Sequence, residues 1–323
     1  MSDTLPPPEV QCLRLQVPEN SAGMRLDRLL AERFPDYSRS RLQHWIKGGQ
    51  VRLDGMPCQG KQKLRGGELV EITPLLEAEV VDRGQAMALD ILFEDASLLV
   101  VNKPAGLVMH PAAGNPDGTL LNGLLAHLPG LARLPRAGIV HRLDKETSGL
   151  LVVAKTEASR NSLVRQLQAR SVKREYRALV QGVMTAGGTV DAPLGRHPVN
   201  RLRRAVTEAG KPAVTHYRVV ERFRAHTYLK IHLETGRTHQ IRVHMAHIHH
   251  PLLGDPLYGG RLKLPAGAGD GLVDALRGFR RQALHARRLE LIHPASGEAM
   301  AWEAPLPEDM QRLLRVLRED AAR

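Results

Sequence analysis

Two short apolar runs constrain this chain more than anything else in it: "LLVV" at 98–101 and "LLVV" again at 150–153. The second reads as a buried strand, and the first as the apolar part of two strands about a turn. Neither approaches the about 20 residues that a membrane helix needs, so no membrane partner is expected. With 42% hydrophobic residues, a chain of 323 can bury a substantial core and is not a disordered tail.

Around those runs the pattern is β-rich α+β. "DILFEDASLLVVNKP" reads as two strands about a turn, "GTLLNGLLAHL" as a helix, and "ASRNSLVRQLQARS" as an amphipathic helix. "REYRALVQGV" reads as a strand, and "TYLKIHLET" alternates, with Leu229, Ile231 and Leu233 on one side and Tyr228, Lys230, His232 and Glu234 on the other. The strand pair "ARRLELIHP" and "AMAWEA" and a helix "PEDMQRLLRVL" close the chain.

The first quarter has a different texture. After a Pro-rich start, residues 1–9, expected to be disordered, a small unit spans 10–74 and a linker 75–88 leads to a large domain, 89–323. In the small unit Leu26, Leu29, Leu30 and Phe34 form one helical face. Leu42, Trp45 and Ile46 form a second, with Ser38 as its cap and Gly48-Gly49 as its stop. "QVRLDGMPC" is a strand turning at Asp54-Gly55, and "ELVEIT" is the closing strand.

The charge narrows the partner. A formal +12 implies a polyanion, most often a nucleic acid, and sequence-blind binding that weakens steeply with salt. Aromatic residues are only 3%, which argues against base stacking on a sheet and for recognition of folded RNA or its backbone. In the small unit Arg39, Arg41, Lys47, Lys61, Lys63 and Arg65 fall on non-core positions and are the expected grip; Arg196, Arg201, Arg203 and Arg204 are a second candidate cluster. Two cysteines, Cys12 and Cys58, without CxxC spacing fit a reducing compartment. The opening residues show no signal peptide, so a cytoplasmic protein is expected.

Several chemistries are excluded by missing motifs: there is no GxxxxGK[ST], no GxGxxG unit between strand and helix, and no PCxxC of a zinc deaminase. "RTHQIRVHMAHIHH" concentrates histidines, and helical spacing brings His244 and His247 together. No acid in the segment completes a ligand set, so neither metal nor cofactor is expected. The same segment offers something better. Thr238 can cap a helix on which His239 and Arg242 share a face, while Ile241, Met245 and Ile248 form its core side. The anion such a face holds is either an RNA phosphate or one of the protein's own carboxylates.

"HRLDKETSGLLVVAKT" sets one carboxylate, Asp144, between Arg142 and Lys145 at the mouth of a buried strand, and Tyr176 lies on the apolar side of "REYRALVQGV". Each has an ordinary reading: a turn aspartate and a core tyrosine. Together Arg142, Asp144, Tyr176 and Arg242 make a candidate site with one carboxylate and no cofactor. A glycosidase needs two carboxylates, whereas detaching a base and reattaching it can work with one nucleophile. Tyr176 could then stack on the base or take its proton, with Arg242 keeping Asp144 ionised.

The motifs carry two resemblances. The small unit, through "SRSRLQHWIKGGQVRLDG" and "GGELVEI", resembles the alpha-L RNA-binding module shared with a small-subunit ribosomal protein. "VNKPAGLVMHP", "GIVHRLDKETSGLLVVAKT", "KREYRALVQGV" and "ETGRTHQIRVHMAHIHHPLLGDPLYGG" resemble, in order across 89–305, the RluA-type RNA pseudouridine synthases. The resemblance implies a mainly antiparallel mixed-sheet α+β catalytic domain behind a small α+β RNA-binding domain. It implies isomerisation of uridine in large-subunit (23S) ribosomal RNA, in the loop of helix 69, by a cofactor-free monomer acting on that RNA or on the assembling subunit. It assigns Asp144 as nucleophile on a flipped-out uridine, Tyr176 as the stacking or proton-accepting residue, Arg242 as the partner of Asp144 and Arg142 as the side chain entering the vacated stack. Lys103 and Pro104 belong to a motif read as structural. The competing expectations are a sibling synthase with other ribosomal or transfer RNA sites, and a non-catalytic ribosome-assembly factor.

Overall fold

The computed structural model describes residues 12–34, 37, 39–73, 83–112 and 114–322, with only the backbone at 39–41. The Pro-rich start, Ser38, residue 74 and residues 75–82 of the expected linker lie outside the described residues. The chain divides into two compact units, Met1–Val81 and Asp82–Arg323.

In the smaller unit, strands β1 (Leu13–Gln16), β2 (Val51–Leu53), β3 (Met56–Pro57) and β4 (Leu69–Ile72) form an antiparallel sheet in the order β1-β4-β2-β3. Helices α1 (Leu26–Arg33) and α2 (Arg39–Lys47) turn the two expected stripes inward: Leu26, Leu29, Leu30, Leu42, Trp45 and Ile46 are buried against Val51, Val70 and Ile72. Two left-handed residues, Asp54 and Gly55, make the tight β2–β3 turn, the two-residue loop whose twist matches the strands.

The larger unit is built on a nine-stranded sheet. Its strands are β5 (Ile91–Glu94), β6 (Leu98–Lys103), β7 (Ser148–Ala154), β8 (Lys173–Gln181), β9 (Gly188–Asp191), β12 (Val214–Arg222), β13 (His226–Leu233), β14 (Leu284–Ile292) and β15 (Ala299–Glu303). A separate hairpin of β10 (Leu194–Arg196) and β11 (Arg204–Val206) stands between β9 and β12. The order is β5-β6-β7-β14-β8-β13-β12-β9, with β15 on β14. Every pairing is antiparallel except β7 with β14, so the sheet is mixed and mainly antiparallel, as the sequence implied.

Helices α3 (Leu120–His127), α4 (Glu157–Gln168), α5 (Gln240–His247), α6 (Asp270–Gly278) and α7 (Glu308–Ala321) cover it. The period of two explains both "LLVV" runs. Leu99, Val101, Leu151 and Val153 pack with Leu120 and Leu124 of α3 and Ile241 and Met245 of α5. Their neighbours Leu98, Val100, Leu150 and Val152 pack with Leu163 of α4. The second face of β13 is not uniformly open: Tyr228 is buried with Leu313 and Leu314 of α7, while Lys230 and His232 stay half-buried.

Residues 83–88 run along the start of α3. Asn122 donates to the Arg83 carbonyl at 2.9 Å, the Gln85 amide donates to the Asn122 carbonyl at 2.9 Å, and Met87 fills the space a side chain at Gly123 would need. Among the described residues no helix is long and apolar enough to cross a membrane.

Candidate active site

Asp144 sits in the loop entering β7, and three neighbours, Lys103, Arg281 and Gln282, fix that loop. Lys103, fully buried, donates from Nζ to the carbonyls of Pro104 (2.7 Å), Leu107 (2.9 Å) and Lys145 (3.0 Å). Burial pulls its ammonium down to about 8, with Glu146 and Asp144 opposing the shift. Arg281 donates to the Glu146 carbonyl at 3.3 Å and Gln282 to the Thr147 hydroxyl at 3.1 Å, while the Thr147 amide closes the turn onto the Asp144 carbonyl. The loop then enters β7 through Gly149, whose φ is +113° and where a Cβ would lie 2.2 Å from the Ala286 carbonyl oxygen. Only glycine lets β7 run parallel to β14 at that approach.

Arg242 reaches the same carboxylate from α5. Its Nη1 donates to Asp144 Oδ2 at 3.1 Å. The rest of the guanidinium is spent on Asp255, with Nε to Oδ2 at 2.7 Å and Nη2 to Oδ1 at 2.9 Å, and the Asp255 side chain has no exposure. Burial alone would lower the Arg242 pKa; Asp255 first and Asp144 second outweigh it, so it stands raised. The one-carboxylate site expected from the sequence therefore holds a second carboxylate. Asp255, within the quoted "LLGDPLYGG", went unremarked because nothing in its spacing ties it to residue 242; its role is to clamp the arginine.

Thr238 does not cap α5. The cap position is His239, itself left-handed at φ +59°, and it makes no side-chain cap bond. Gln240 organises the helix start instead: its Oε1 accepts from the Arg237 amide (3.0 Å) and the Thr235 hydroxyl (2.7 Å), and its Nε2 donates to the Val214 carbonyl (2.9 Å). The predicted face is nonetheless real. His239 and Arg242 converge on Asp144, with Nε2 of His239 4.0 Å from Oδ1. Of the two anions considered, the one seen there is the protein's own carboxylate.

Tyr176 lies mid-sheet, opposite Ile231 on β13 and Ala286 on β14, and is buried. Burial pushes its phenol up, and Asp144 adds to this against the pull of Arg174. It is a neutral phenol at physiological pH. Arg142 is exposed and, among the described residues, has no ion pair. These four residues line one cleft of about 1040 Å³. Arg136, Arg170, Arg174 and Arg237 also line it, giving a concave, mainly cationic surface around Asp144; the other lining carboxylate, Glu234, is paired with Arg170 and His216. Arg174 was not anticipated. It fits because Gly236 has no side chain: a Cβ there would lie 2.7 Å from its Nη1.

The other predicted residues divide. Lys47, Lys61, Lys63 and Arg65 are exposed and have no ion pair among the described residues, whereas Arg14, Arg25 and Arg28 are each tied to an acid. The side chains of Arg39 and Arg41 lie outside the described residues. Arg196 and Arg201 are exposed on the β10–β11 hairpin. Arg203 lays its guanidinium 5.1 Å from the Tyr258 ring centre, and the Arg204 amide donates to the Tyr258 hydroxyl at 2.8 Å, so both are tied to Tyr258. His244 uses both ring nitrogens on Thr215 and the Ala192 carbonyl, and among the described residues no three His, Cys, Asp or Glu side chains converge as a metal set.

Comparison with known proteins identifies the family of the chain and its relatives. A family model described as RNA pseudouridylate synthase matches residues 97–247, and the S4 domain model matches 24–70. The "Ribosomal large subunit pseudouridine synthase D" of Xanthomonas campestris pv. campestris is 57% identical over 324 residues, covering 100% of this chain and 98% of that protein. The protein of the same name from Pseudomonas aeruginosa is 57% identical, covering 94% of this chain and 95% of its own length. The solved structure of human RNA Pseudouridylate Synthase Domain Containing 4 superposes with a TM-score of 0.56 at 28% identity, covering 71% of this chain and 92% of that one.

Proposed function

We infer that this chain, which belongs to the RNA pseudouridylate synthase family, isomerises uridine to pseudouridine in large-subunit ribosomal RNA with Asp144 as the attacking carboxylate. The observation that carries the reading is the pairing of Asp144 with an Arg242 already clamped by Asp255, in a cleft whose other charged groups are mostly cations. A nucleophile that must be anionic, accessible and fixed in direction is supplied by that arrangement.

The target uridine leaves its stack, and Arg142, exposed and unpaired among the described residues, enters the vacated space; this offsets part of the few kcal/mol that flipping costs. An Asp144 oxygen forms a bond to the ring or to the ribose, and the bond between C1′ and N1 breaks. The base turns, C1′ bonds to C5, the bond to Asp144 breaks, the C5 proton passes to water, and N1 takes up a proton from water in its place. No atom is gained or lost. Tyr176, a neutral phenol, contributes its ring face as a platform for the base. The RNA backbone is held by the cations of the cleft, by Arg196 and Arg201, and by Lys47, Lys61, Lys63 and Arg65 of the smaller unit. We assign the target to the closely spaced uridines of the helix 69 loop, and the working form to a cytoplasmic monomer.

The test uses large-subunit ribosomal RNA transcript carrying tritium at uridine C5, incubated with wild type and with Asp144→Asn in EDTA. Wild type releases tritium to water; Asp144→Asn releases none and binds the RNA equally well. RNA bound by both proteins with release by neither would instead identify a binding factor.

A further inference from the structure

His239 approaches the Asp144 oxygen that Arg242 does not hold, with Nε2 4.0 Å from Oδ1. Its other nitrogen, Nδ1, lies 2.9 Å from the Tyr258 hydroxyl. That hydroxyl already accepts from the Arg204 amide at 2.8 Å, because a backbone N–H can only donate. Among the described residues, the one acceptor within its reach for the phenol's own hydrogen is His239 Nδ1. Tyr258 is buried, and a buried hydroxyl hydrogen is rarely left without a partner. Nδ1 is therefore the acceptor, and the ring hydrogen sits on Nε2, the nitrogen 4.0 Å from Asp144 Oδ1.

The ring is rigidly placed. It meets the Tyr258 ring edge-on at 5.7 Å and 77°, and the Tyr258 ring lies 5.1 Å from the guanidinium of Arg203 and 5.1 Å from that of Arg242. The side chain of His239 is only 17% exposed, and burial holds the imidazole below its usual pKa against the pull of Asp144. A buried neutral ring is a poor phosphate ligand and a good directed N–H donor.

We propose that His239 is a catalytic residue: its Nε2–H donates to Asp144 Oδ1 when the covalent bond between Asp144 and the nucleoside breaks. In that step the C–O electron pair returns to the carboxylate. Arg242 holds Oδ2, His239 holds Oδ1, and no proton changes hands. A closure of roughly 1 Å brings the 4.0 Å separation to hydrogen-bond length, a tightening common as substrate fills a site. The proposal rests on the reading of Asp144 as nucleophile.

Two substitutions separate this role from a structural one. His239→Asn suits the left-handed backbone and keeps an amide beside Tyr258, but has nothing that reaches Asp144. His239→Gln suits that backbone less well and carries an N–H to the distal position. In single-turnover tritium release at saturating RNA, His239→Asn is expected to be slower by roughly 10- to 150-fold, the worth of one hydrogen bond to a charged group. His239→Gln should recover most of that rate, and RNA affinity by filter binding should match wild type for both. An Asn variant as fast as wild type overturns the proposal. So does a loss confined to affinity, which would make His239 a phosphate contact. Absence of release by wild type itself would overturn the Asp144 reading and this one with it.

Discussion

Asp255→Asn tests the clamp on which the site depends. The wild-type carboxylate accepts four hydrogen bonds: two from Arg242 and two from the amides of Leu257 (2.9 Å) and Tyr258 (3.1 Å), both at Oδ1. Asparagine can keep the Oδ1 bonds. It replaces Oδ2 with an N–H₂ that faces the Nε–H of Arg242, donor against donor, and it removes a charge from a pair whose side chains are 5% and 0% exposed. Breaking a buried pair from one side costs about 3–5 kcal/mol, because the remaining charge stays desolvated. In a unit of this size each kcal/mol moves Tm by about 2–4 °C, so calorimetry should show a fall of roughly 6–20 °C. Arg242 also loses its fixed direction, so tritium release measured well below the new Tm should fall while RNA affinity holds. A Tm within about 2 °C of wild type, with full turnover, would refute the argument that Asp255 sets Arg242.

Gly149→Ala should be severely destabilising, since its Cβ would overlap the Ala286 carbonyl and φ is +113°; soluble yield and Tm near wild type would show that β7 and β14 can part without cost. Acid should destabilise the larger unit. His226 and His285 are buried, and burial holds each at about 4, below the unfolded value near 6.5. Between those values the unfolded chain binds more protons, so stability is lost as pH falls from about 6.5 towards 4, by about 2 kcal/mol per histidine at pH 5. Urea midpoints from pH 7.5 to 5 check the slope, and a His226→Gln variant with an unchanged slope would contradict the assignment.

The local pattern of the sequence placed most elements. Helical stripes such as Leu26–Leu29–Leu30 and the alternation in "TYLKIHLET" report which side chains share a face, and that depends only on the 3.6 and 2.0 periods of the backbone. The turn at Asp54-Gly55 was legible for the same reason, because its left-handed pair is a local demand. The start of α5 was misread at Thr238. What fixes it is Gln240 bonding to Val214, 26 residues away, a contact outside any local window.

Residue type, motif spacing and net charge are properties of the chain, so the sequence alone singled out Asp144 and Arg242 as the main residues of the proposed site and pointed to a polyanionic partner. Only the tertiary structure decided how those residues are held. Asp255, Tyr258, Arg174 and the buried Lys103 act across 13 to 42 residues of separation or across strands, where sequence distance says nothing of contact. Burial decided the rest. It made Arg242 a shared partner of two carboxylates and holds the His239 imidazole below its usual pKa, with Nε2 4.0 Å from Asp144 Oδ1. Desolvation depends on what packs above a side chain, and that exists only once the chain has folded.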